Sequence, residues 1–320
     1  MLVNSTIFKQ EIQTTASFNF DQQTARKALA VENGLIRTIF TSDLVDRLNE
    51  AWSIRETDPL PEHVAIFIGY IQAAICNLSL AKSLPKMIGA LTGSGALQAE
   101  NNSKKPLYEW QKLEIENSLL EDGWTAIEDA IEFSILKQTE SFFDAFKSTN
   151  EFKSFRKMII PNAKDFDEVY PIGKSRRTYE SIKSCMNDVE AFYIKPALGT
   201  AYTNYIEQQQ TIEGLQDGYL ELKPLAQAAI ANLSIEIALS KLEFKFDEEG
   251  ARVISTSASS EKAKIKGVAS ADTKKLAAEK CHEIGMKYLN DLQVLAQSLA
   301  IIPTPTTVKI DNSTGSSFIF

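Results

Sequence analysis

The stretch V-E-N-G-L-I-R-T-I-F-T-S-D-L-V-D-R-L, residues 31–48, recurs in altered form as V-E-A-F-Y-I-K-P-A-L-G-T-A-Y-T-N-Y-I at residues 189–206. The offset is 189 − 31 = 158 residues without a gap, and most apolar positions fall into register. The register also aligns two acidic residues, Glu32 and Glu190. A recurrence of this kind predicts that a helical unit is present twice in the chain.

Two further pairs of segments keep the same order along the chain. A-A-I-C-N-L-S at 73–79 is matched by A-A-I-A-N-L-S at 228–234, and the segments around Gly123 and Gly285 also align. Their offsets are 228 − 73 = 155 and 285 − 123 = 162. Three ordered matches with small changes of offset indicate one duplicated unit with insertions in its loops. The alternative is that two amphipathic hairpins merely share a helical period.

Composition describes an ordinary globular chain of 320 residues, with 44% hydrophobic and 24% charged residues. This length suffices for two domains, each with its own core. The net charge of −8 argues against nucleic-acid binding, which requires clustered Lys and Arg. The N-terminal residues show no signal-peptide pattern, which predicts a cytosolic translation product.

The longest apolar run, residues 64–81, contains interspersed polar residues and is predicted to be a buried helix, not a membrane span. The three cysteines have wide spacings and are expected to be reduced and structural. They are Cys76, Cys185 and Cys281.

The predicted fold is mainly α, with two tandem helical-bundle modules, each carrying a short β-hairpin or loop insertion. The first module, with an N-terminal arm, covers residues 1–140, and the second covers 179–300. An aromatic linker, 141–178, joins them, and its phenylalanines predict a packed rather than a solvated segment. Residues 301–320 are predicted to form an extended C-terminal arm, because prolines exclude a helix at its start. The arm either docks on a neighbouring subunit or packs back on its own domain, and the sequence leaves both open.

Apolar periodicity predicts five long helices at about 62–84, 107–139, 179–210, 222–243 and 271–299. A glycine lies near the middle of two of them, and close helix packing is expected to compensate for its low helix propensity.

Local signals refine this plan. Residues 1–14 are expected to be extended, and Asp21 is a candidate N-cap. Pro196 should kink the helix that contains it or mark a junction of two helices. The segments 89–106 and 244–268 have the composition of hairpins or loops.

Few residues in the sequence are candidates for a catalytic, metal-binding or nucleotide-binding site. His63 and His282 are the only histidines, so a histidine-based triad or a metal site built on several histidines has little support. Cys281 and His282 are adjacent in a predicted helix and cannot pair with each other. No nucleotide-binding motif is present. We therefore expect no catalytic, cofactor-binding or metal-binding site.

One cluster leaves a weaker enzymatic alternative open. Asp165 and Asp167 lie close in sequence to Arg176 and Arg177, so an acid/base or metal role is conceivable. Ion pairs within the linker or between subunits are the favoured interpretation of this cluster.

Five motifs carry a family resemblance. They are A-S-F-N-F-D (16–21), K-P-L-Y-E-W-Q (105–111), D-F-D-E-V-Y-P-I-G-K-S-R-R-T-Y (165–179), Y-I-K-P-A-L-G-T-A-Y (193–202) and D-N-S-T-G-S-S-F-I-F (311–320). With them, the chain resembles a family of uncharacterised proteins from Bacteroidetes phages and prophages. That family is in turn similar to the head–tail connector, or neck adaptor, proteins of tailed phages.

The resemblance implies a non-catalytic virion protein located in the neck and made in the cytoplasm of the host bacterium. Its implied partners are the portal protein, downstream neck or tail proteins, and other copies of itself in a dodecameric ring. DNA would pass through the acidic lumen without sequence-specific binding, and no membrane or cofactor is involved. The residues expected to make protein contacts are Arg176, Arg177, Phe318, Ile319 and Phe320.

Two points stay open. Thr38 and Thr41 stand where the second module has Pro196 and Gly199, so the two modules need not make equivalent contacts. The main alternative function is a cellular helical-repeat scaffold that is not associated with phage.

Overall fold

The computed structural model describes most of the chain. The described residues are 1–12, 19–90, 97–100, 103–106, 109–210, 215, 218–241, 244–247, 250–253, 271–299 and 301. The predicted C-terminal arm therefore lies outside the described residues, except for Ile301.

The first module consists of helices with one pair of short strands. Its elements are α1 (Ser5–Ile12), α2 (Phe20–Gln23), α3 (Ala25–Val31), a π-helical turn (Glu32–Ile36), α4 (Arg37–Phe40), α5 (Ser42–Ile54), α6 (Glu62–Ala90), β1 (Leu97–Glu100), β2 (Ser103–Pro106), α7 (Glu109–Leu136), a 3₁₀ helix (Ser141–Ser148) and α8 (Asn150–Lys157). Strands β1 and β2 pair antiparallel, with Leu97 opposite Pro106.

The second module follows the same order of long elements. Its elements are α9 (Ala163–Val169), α10 (Arg176–Val189), a π-helical turn (Glu190–Ile194), α11 (Lys195–Leu198), α12 (Thr200–Gln210), α13 (Gly218–Lys241), β3 (Phe244–Asp247), β4 (Gly250–Val253) and α14 (Ala271–Ser298). Strands β3 and β4 pair antiparallel, with Phe244 opposite Val253. The mainly helical fold in two modules agrees with the prediction.

The duplication extends to irregular backbone. Each module has a π-helical turn at the same aligned position, followed by one short helix, α4 or α11. Each short helix ends at a residue with positive φ, Thr41 at 68° and Gly199 at 56°. Pro196 lies directly after the π-helical turn, and the backbone stays helical on both sides of it, so the predicted junction of two helices falls at Gly199 and not at Pro196.

A pair of long helices forms the centre of each module, α6 with α7 and α13 with α14. Gly123 of α7 lies against Leu78 of α6, and a Cβ on this glycine would come within 2.6 Å of Leu78 Cγ. Gly285 of α14 lies against Leu233 of α13 in the same way, again with 2.6 Å to Cγ. Close packing at the mid-helix glycines, predicted from the sequence, is thus confirmed in both modules.

The aromatic linker is packed, as predicted, but it does not form a separate unit. Phe143 and Phe146 are fully buried in the core of the first module. Phe166 is fully buried in the core of the second. The boundary between the two cores therefore falls inside residues 141–178, close to the end of α8.

The N-terminal segment differs from the prediction. Residues 5–12 of the expected extended arm form helix α1, because Leu2, Val3 and Phe8 are all fully buried in the first core. The N-cap of α2 is Asn19, whose Oδ1 accepts a hydrogen bond from the Gln22 N–H, and Asp21 instead lies in the first turn.

Helix α6 is the most apolar element of the described chain. Its first 23 residues, Glu62–Leu84, are long and apolar enough to cross a membrane, and 67% of the apolar window is buried inside the protein. A mostly buried core helix passes the same test of length and composition, in keeping with the predicted buried helix.

Candidate functional site

The contact between the modules is built around Arg176, the first residue of α10. Its guanidinium bonds to Glu128 of α7 at 2.6 Å and to Glu151 of α8 at 2.7 Å. It also contacts Glu180 one turn further along α10. Only 2% of the Arg176 side chain is exposed, so a buried cation from the second module meets carboxylates of the first.

The carboxylates around Arg176 have additional partners. The second oxygen of Glu128 accepts a hydrogen bond from the Ala163 N–H at the start of α9, at 2.9 Å. Glu151 also pairs with Lys183 of α10, at 3.1 Å. These contacts compensate the buried charges, as buried ions require.

Arg176 and Glu151 both keep their charge in this cluster. Burial by itself lowers the pKa of Arg176, but the nearby carboxylates, Glu128 foremost, outweigh it and raise that pKa. For Glu151, burial raises the pKa, while Arg176 and Lys183 lower it further than burial raises it. Ion pairs centred on Arg176 therefore join the two modules.

These contacts correct one expectation about protein-contact residues. Arg176 is buried and its guanidinium faces carboxylates of its own chain, so it does not present a charge to a partner. Arg177, the next residue, is exposed. The other three expected contact residues, Phe318, Ile319 and Phe320, lie outside the described residues.

Asp165 and Asp167 are not paired with Arg176. Asp167 Oδ1 accepts hydrogen bonds from the N–H groups of Ile172 and Lys174, at 2.7 and 3.1 Å, which lowers the pKa of its carboxyl and fixes the loop after α9. Asp165 is separate: burial raises its pKa, and Lys223 acts in the opposite direction. The structure does not unite the four residues into one site.

A second buried polar position lies at the π-helical turn of the first module. Glu32 Oε2 accepts a hydrogen bond from the Leu2 N–H at 3.0 Å, and its Oε1 accepts one from Asn49 Nδ2 at 3.0 Å. Gln72 of α6 donates to the Leu2 carbonyl at 2.8 Å. Glu32 thus binds the N–H of Leu2, and Gln72 binds its carbonyl.

The second module has the same arrangement at its π-helical turn. Glu190 Oε1 accepts from the Ile159 N–H at 3.2 Å, and its Oε2 accepts from the Tyr202 hydroxyl at 3.0 Å. Gln227 donates to the Ile159 carbonyl at 3.3 Å. Burial raises the pKa of Glu190 to about 7, against the lowering effect of its two donors.

These buried glutamates position backbone and were not predicted as functional groups. The alignment of Glu32 with Glu190 was visible in the sequence, but their partners were not. Leu2 and Ile159 belong to the short segments M-L-V (1–3) and M-I-I (158–160), which are too brief to be recognised as a repeat.

An open cleft of about 860 Å³ lies beside the inter-module contact. Apolar side chains on its wall come from α8, from the residue before α13 that the structure describes and from the first turn of α13, namely Phe152, Phe155, Leu215 and Leu220. Polar groups on the same wall include Asp165 and Lys223. An open, partly aromatic cleft of this size fits a peptide segment.

The two histidines and the three cysteines are the remaining candidate residues. His282 Nδ1 lies 3.0 Å from Glu236 Oε2 on the surface, and His63 lies beside the Phe143 ring. The three cysteines are free and buried. Within the described ranges, no group of three or more His, Cys, Asp or Glu side chains could hold a metal ion.

Comparison with known proteins identifies one family. The model of a family described as "Family of unknown function (DUF6712)" matches residues 36–156 and 194–295. The two matched segments fall one in each module. No curated protein and no solved structure matches this chain.

Proposed function

The chain belongs to the protein family DUF6712, whose function is unknown, and we propose that it is a structural adaptor without catalytic activity. In this proposal it is a phage virion protein, made in the host cytoplasm, that forms a ring in the neck. Its partners are the portal protein, downstream neck or tail proteins and neighbouring copies of itself.

The observation that carries the proposal is what the buried charged groups contact. Glu32 and Glu190 hold backbone N–H groups, and Arg176 joins the two modules. These are the groups whose burial would make them the first candidates for catalysis. Each instead stabilises the shape of the protein, and a rigid shape is the property that a ring component needs.

Exposed apolar side chains supply surfaces for partner proteins. Phe192 is 74% exposed in the π-helical turn of the second module, at the position aligned with Gly34 of the first. Leu136 is 75% exposed at the end of α7. A large exposed aromatic side chain at this position of the second module, aligned with a glycine in the first, supports contacts that differ between the modules.

The net charge of the protein is compatible with a ring through which DNA passes. The net charge of −8 gives the protein the sign that repels the phosphate backbone. A ring of such chains would allow DNA to pass through its lumen without binding it.

The proposal is tested by quantitative mass spectrometry on gradient-purified virus particles from the source system. We expect this chain at a copy number close to that of the portal protein. Its absence from particles, with abundant protein left in the lysate, would reject the adaptor and favour the cellular helical-repeat scaffold.

A surface variant sharpens the test. Phe192→Ala is expected to reduce incorporation into particles while leaving the thermal unfolding of the free protein unchanged, because the side chain is exposed. Phe192→Tyr keeps the aromatic surface and serves as the matched control. Equal incorporation of Phe192→Ala and the unaltered protein would exclude this residue from the interface.

A further inference from the structure

The described chain ends against the start of α13, near two residues that line the cleft. Leu299 and Ile301 lie over Gly218, where a Cβ would come within 3.0 Å and 2.8 Å of their Cδ1 atoms. The Ile301 N–H donates to the Ala296 carbonyl at 2.9 Å, which turns the backbone away from the axis of α14. The residues after Ile301 therefore start beside the first residue of α13.

The same place forms part of the cleft wall. Leu215 and Leu220 flank Gly218 in sequence, and both line the cleft. Leu220 is 57% exposed, which is high for a leucine beside a helix start. Phe152 and Phe155 of α8 line the same cleft and contribute aromatic surface.

The chain that follows Ile301 has both the length and the composition to reach and fill this wall. It comprises 320 − 301 = 19 residues, which can span up to roughly 60 Å when extended. Its last three residues, Phe318, Ile319 and Phe320, form an apolar group preceded by N-S-T-G-S-S. Two aromatic rings and a branched aliphatic side chain match an open cleft with phenylalanine and leucine walls.

We propose that Phe318-Ile319-Phe320 docks in this cleft, in contact with Leu220 and Phe155 of the same chain. The occupant is the chain's own C-terminal segment because the tether begins beside Gly218, which lies in sequence between the cleft-lining residues Leu215 and Leu220. A short tether gives the segment an effective concentration on the order of mM, above that of a neighbouring copy in dilute solution.

The docked segment would cover the contact between the modules on the side that faces the cleft. The contact is intramolecular, so it stands whether or not the protein is a phage adaptor. A partner or a neighbouring copy that bound the cleft would first have to displace the segment. The docked segment is therefore a competitor for the cleft in the free protein.

The test uses full-length protein in which p-benzoylphenylalanine replaces Phe320. Irradiation at micromolar concentration should cross-link residue 320 to the cleft wall, at Leu220, Phe155 or their neighbours, as mapped by mass spectrometry. An equal mixture of ¹⁵N-labelled and unlabelled protein distinguishes the two sources of the segment. Cross-links within one isotope form are expected, and mixed-isotope cross-links would overturn the intramolecular assignment.

A matched pair of substitutions tests the site itself. Leu220→Asp should lower the cross-link yield at the cleft about fivefold, because an aspartate there is desolvated when the apolar segment docks. Leu276→Asp is the control, since Leu276 is 67% exposed on α14 and does not line the cleft. Circular dichroism verifies that both variants stay folded. An unchanged yield in Leu220→Asp, or cross-links elsewhere on the surface, would reject the proposal.

Discussion

Glu32 and Glu190 are equivalent buried carboxylates, 190 − 32 = 158 residues apart, and each accepts a hydrogen bond from a backbone N–H of a distant segment. The donor is Leu2 in the first module and Ile159 in the second, at an offset of 157 residues. Each module therefore contains the same kind of contact, between the backbone of a distant short segment and the glutamate of its π-helical turn.

Glu190→Gln should remove part of the pH dependence of stability. Since burial raises the pKa of Glu190 to about 7 from 4.5, its protonated form is favoured in the folded protein. Its contribution is fully present below pH 4.5 and is lost as the pH rises through 7. The unfolding free energy of the unaltered protein should thus fall by roughly 3 kcal/mol across this window.

Urea unfolding between pH 4.5 and pH 8 measures this effect. The glutamine stays neutral and can still accept from the Ile159 N–H, so the variant should show a flatter profile. Tyr202 and Tyr205 do not titrate in the window, because burial raises the pKa of both hydroxyls. Parallel profiles for the two proteins would refute the assignment to Glu190.

Gly123→Ala and Gly285→Ala should each destabilise the protein by about 1–3 kcal/mol, because the new methyl overlaps a leucine and neighbouring backbone of the facing helix. Gly69→Ala is the control. Gly69 is helical with nothing within 4 Å of an added Cβ, so alanine there should stabilise by up to about 1 kcal/mol. Chemical denaturation compares the three, and an equal response at all of them would contradict the close packing.

Arg176→Met should cost about 3–5 kcal/mol, since it leaves Glu128 buried without its cation and leaves Glu151 with Lys183 alone. Arg177→Ala, at the adjacent exposed position, should change the free energy of unfolding by less than about 0.5 kcal/mol. Adding Glu128→Gln to Arg176→Met should recover part of the loss, because one uncompensated charge is removed. Thermal or urea unfolding gives all three values, and an additive double variant would argue against direct pairing.

Thr41→Gly should stabilise the protein. Thr41 has φ 68° and ψ 155°, a region that essentially only glycine adopts without strain, and that strain is worth about 1–3 kcal/mol. Losing its hydroxyl contact to the Leu44 N–H costs only a few tenths of a kcal/mol when glycine replaces an N-cap.

The reverse experiment is made at the aligned position. Gly199→Ala meets no atom within 4 Å, so its whole effect comes from the backbone and should be a loss of about 1–2 kcal/mol. Differential scanning calorimetry reports both changes as opposite shifts of Tm. A fall of Tm in Thr41→Gly would show that the hydroxyl contact outweighs the strain.

Regular features of the fold were predictable from the sequence. The gap-free register of residues 31–48 with 189–206 placed the two π-helical turns at equivalent positions, although it did not reveal that they are π-helical. Apolar spacing placed α7, α13 and α14 to within a few residues, but the predicted helix at 179–210 is divided at Gly199 and α6 extends to Ala90, beyond its predicted end at 84. Gly123 and Gly285 indicated where helices approach closely. These signals are local, because the helical period of the apolar residues and the position of a glycine can both be determined from neighbouring residues.

Long-range polar pairings were not predictable. Arg176 is 48 residues from Glu128, and nothing in its sequence neighbourhood indicates a buried partner in the other module. The N-terminal segment was misassigned for a related reason: Leu2 and Val3 are too few to give a periodic signal, and only the core that surrounds them explains their burial. The cleft likewise arises from segments far apart in the chain.

The pairing of Ile159 with Glu190 determines where this protein can be divided. Residues 158–160 make the same contact in the second module that residues 1–3 make in the first. They precede α9 within the aromatic linker. A gene fragment that began at residue 179 would encode the long helices without the peptide that fills their interior. A fragment that began at residue 158 would also encode the peptide whose Ile159 N–H bonds to the buried carboxylate of Glu190.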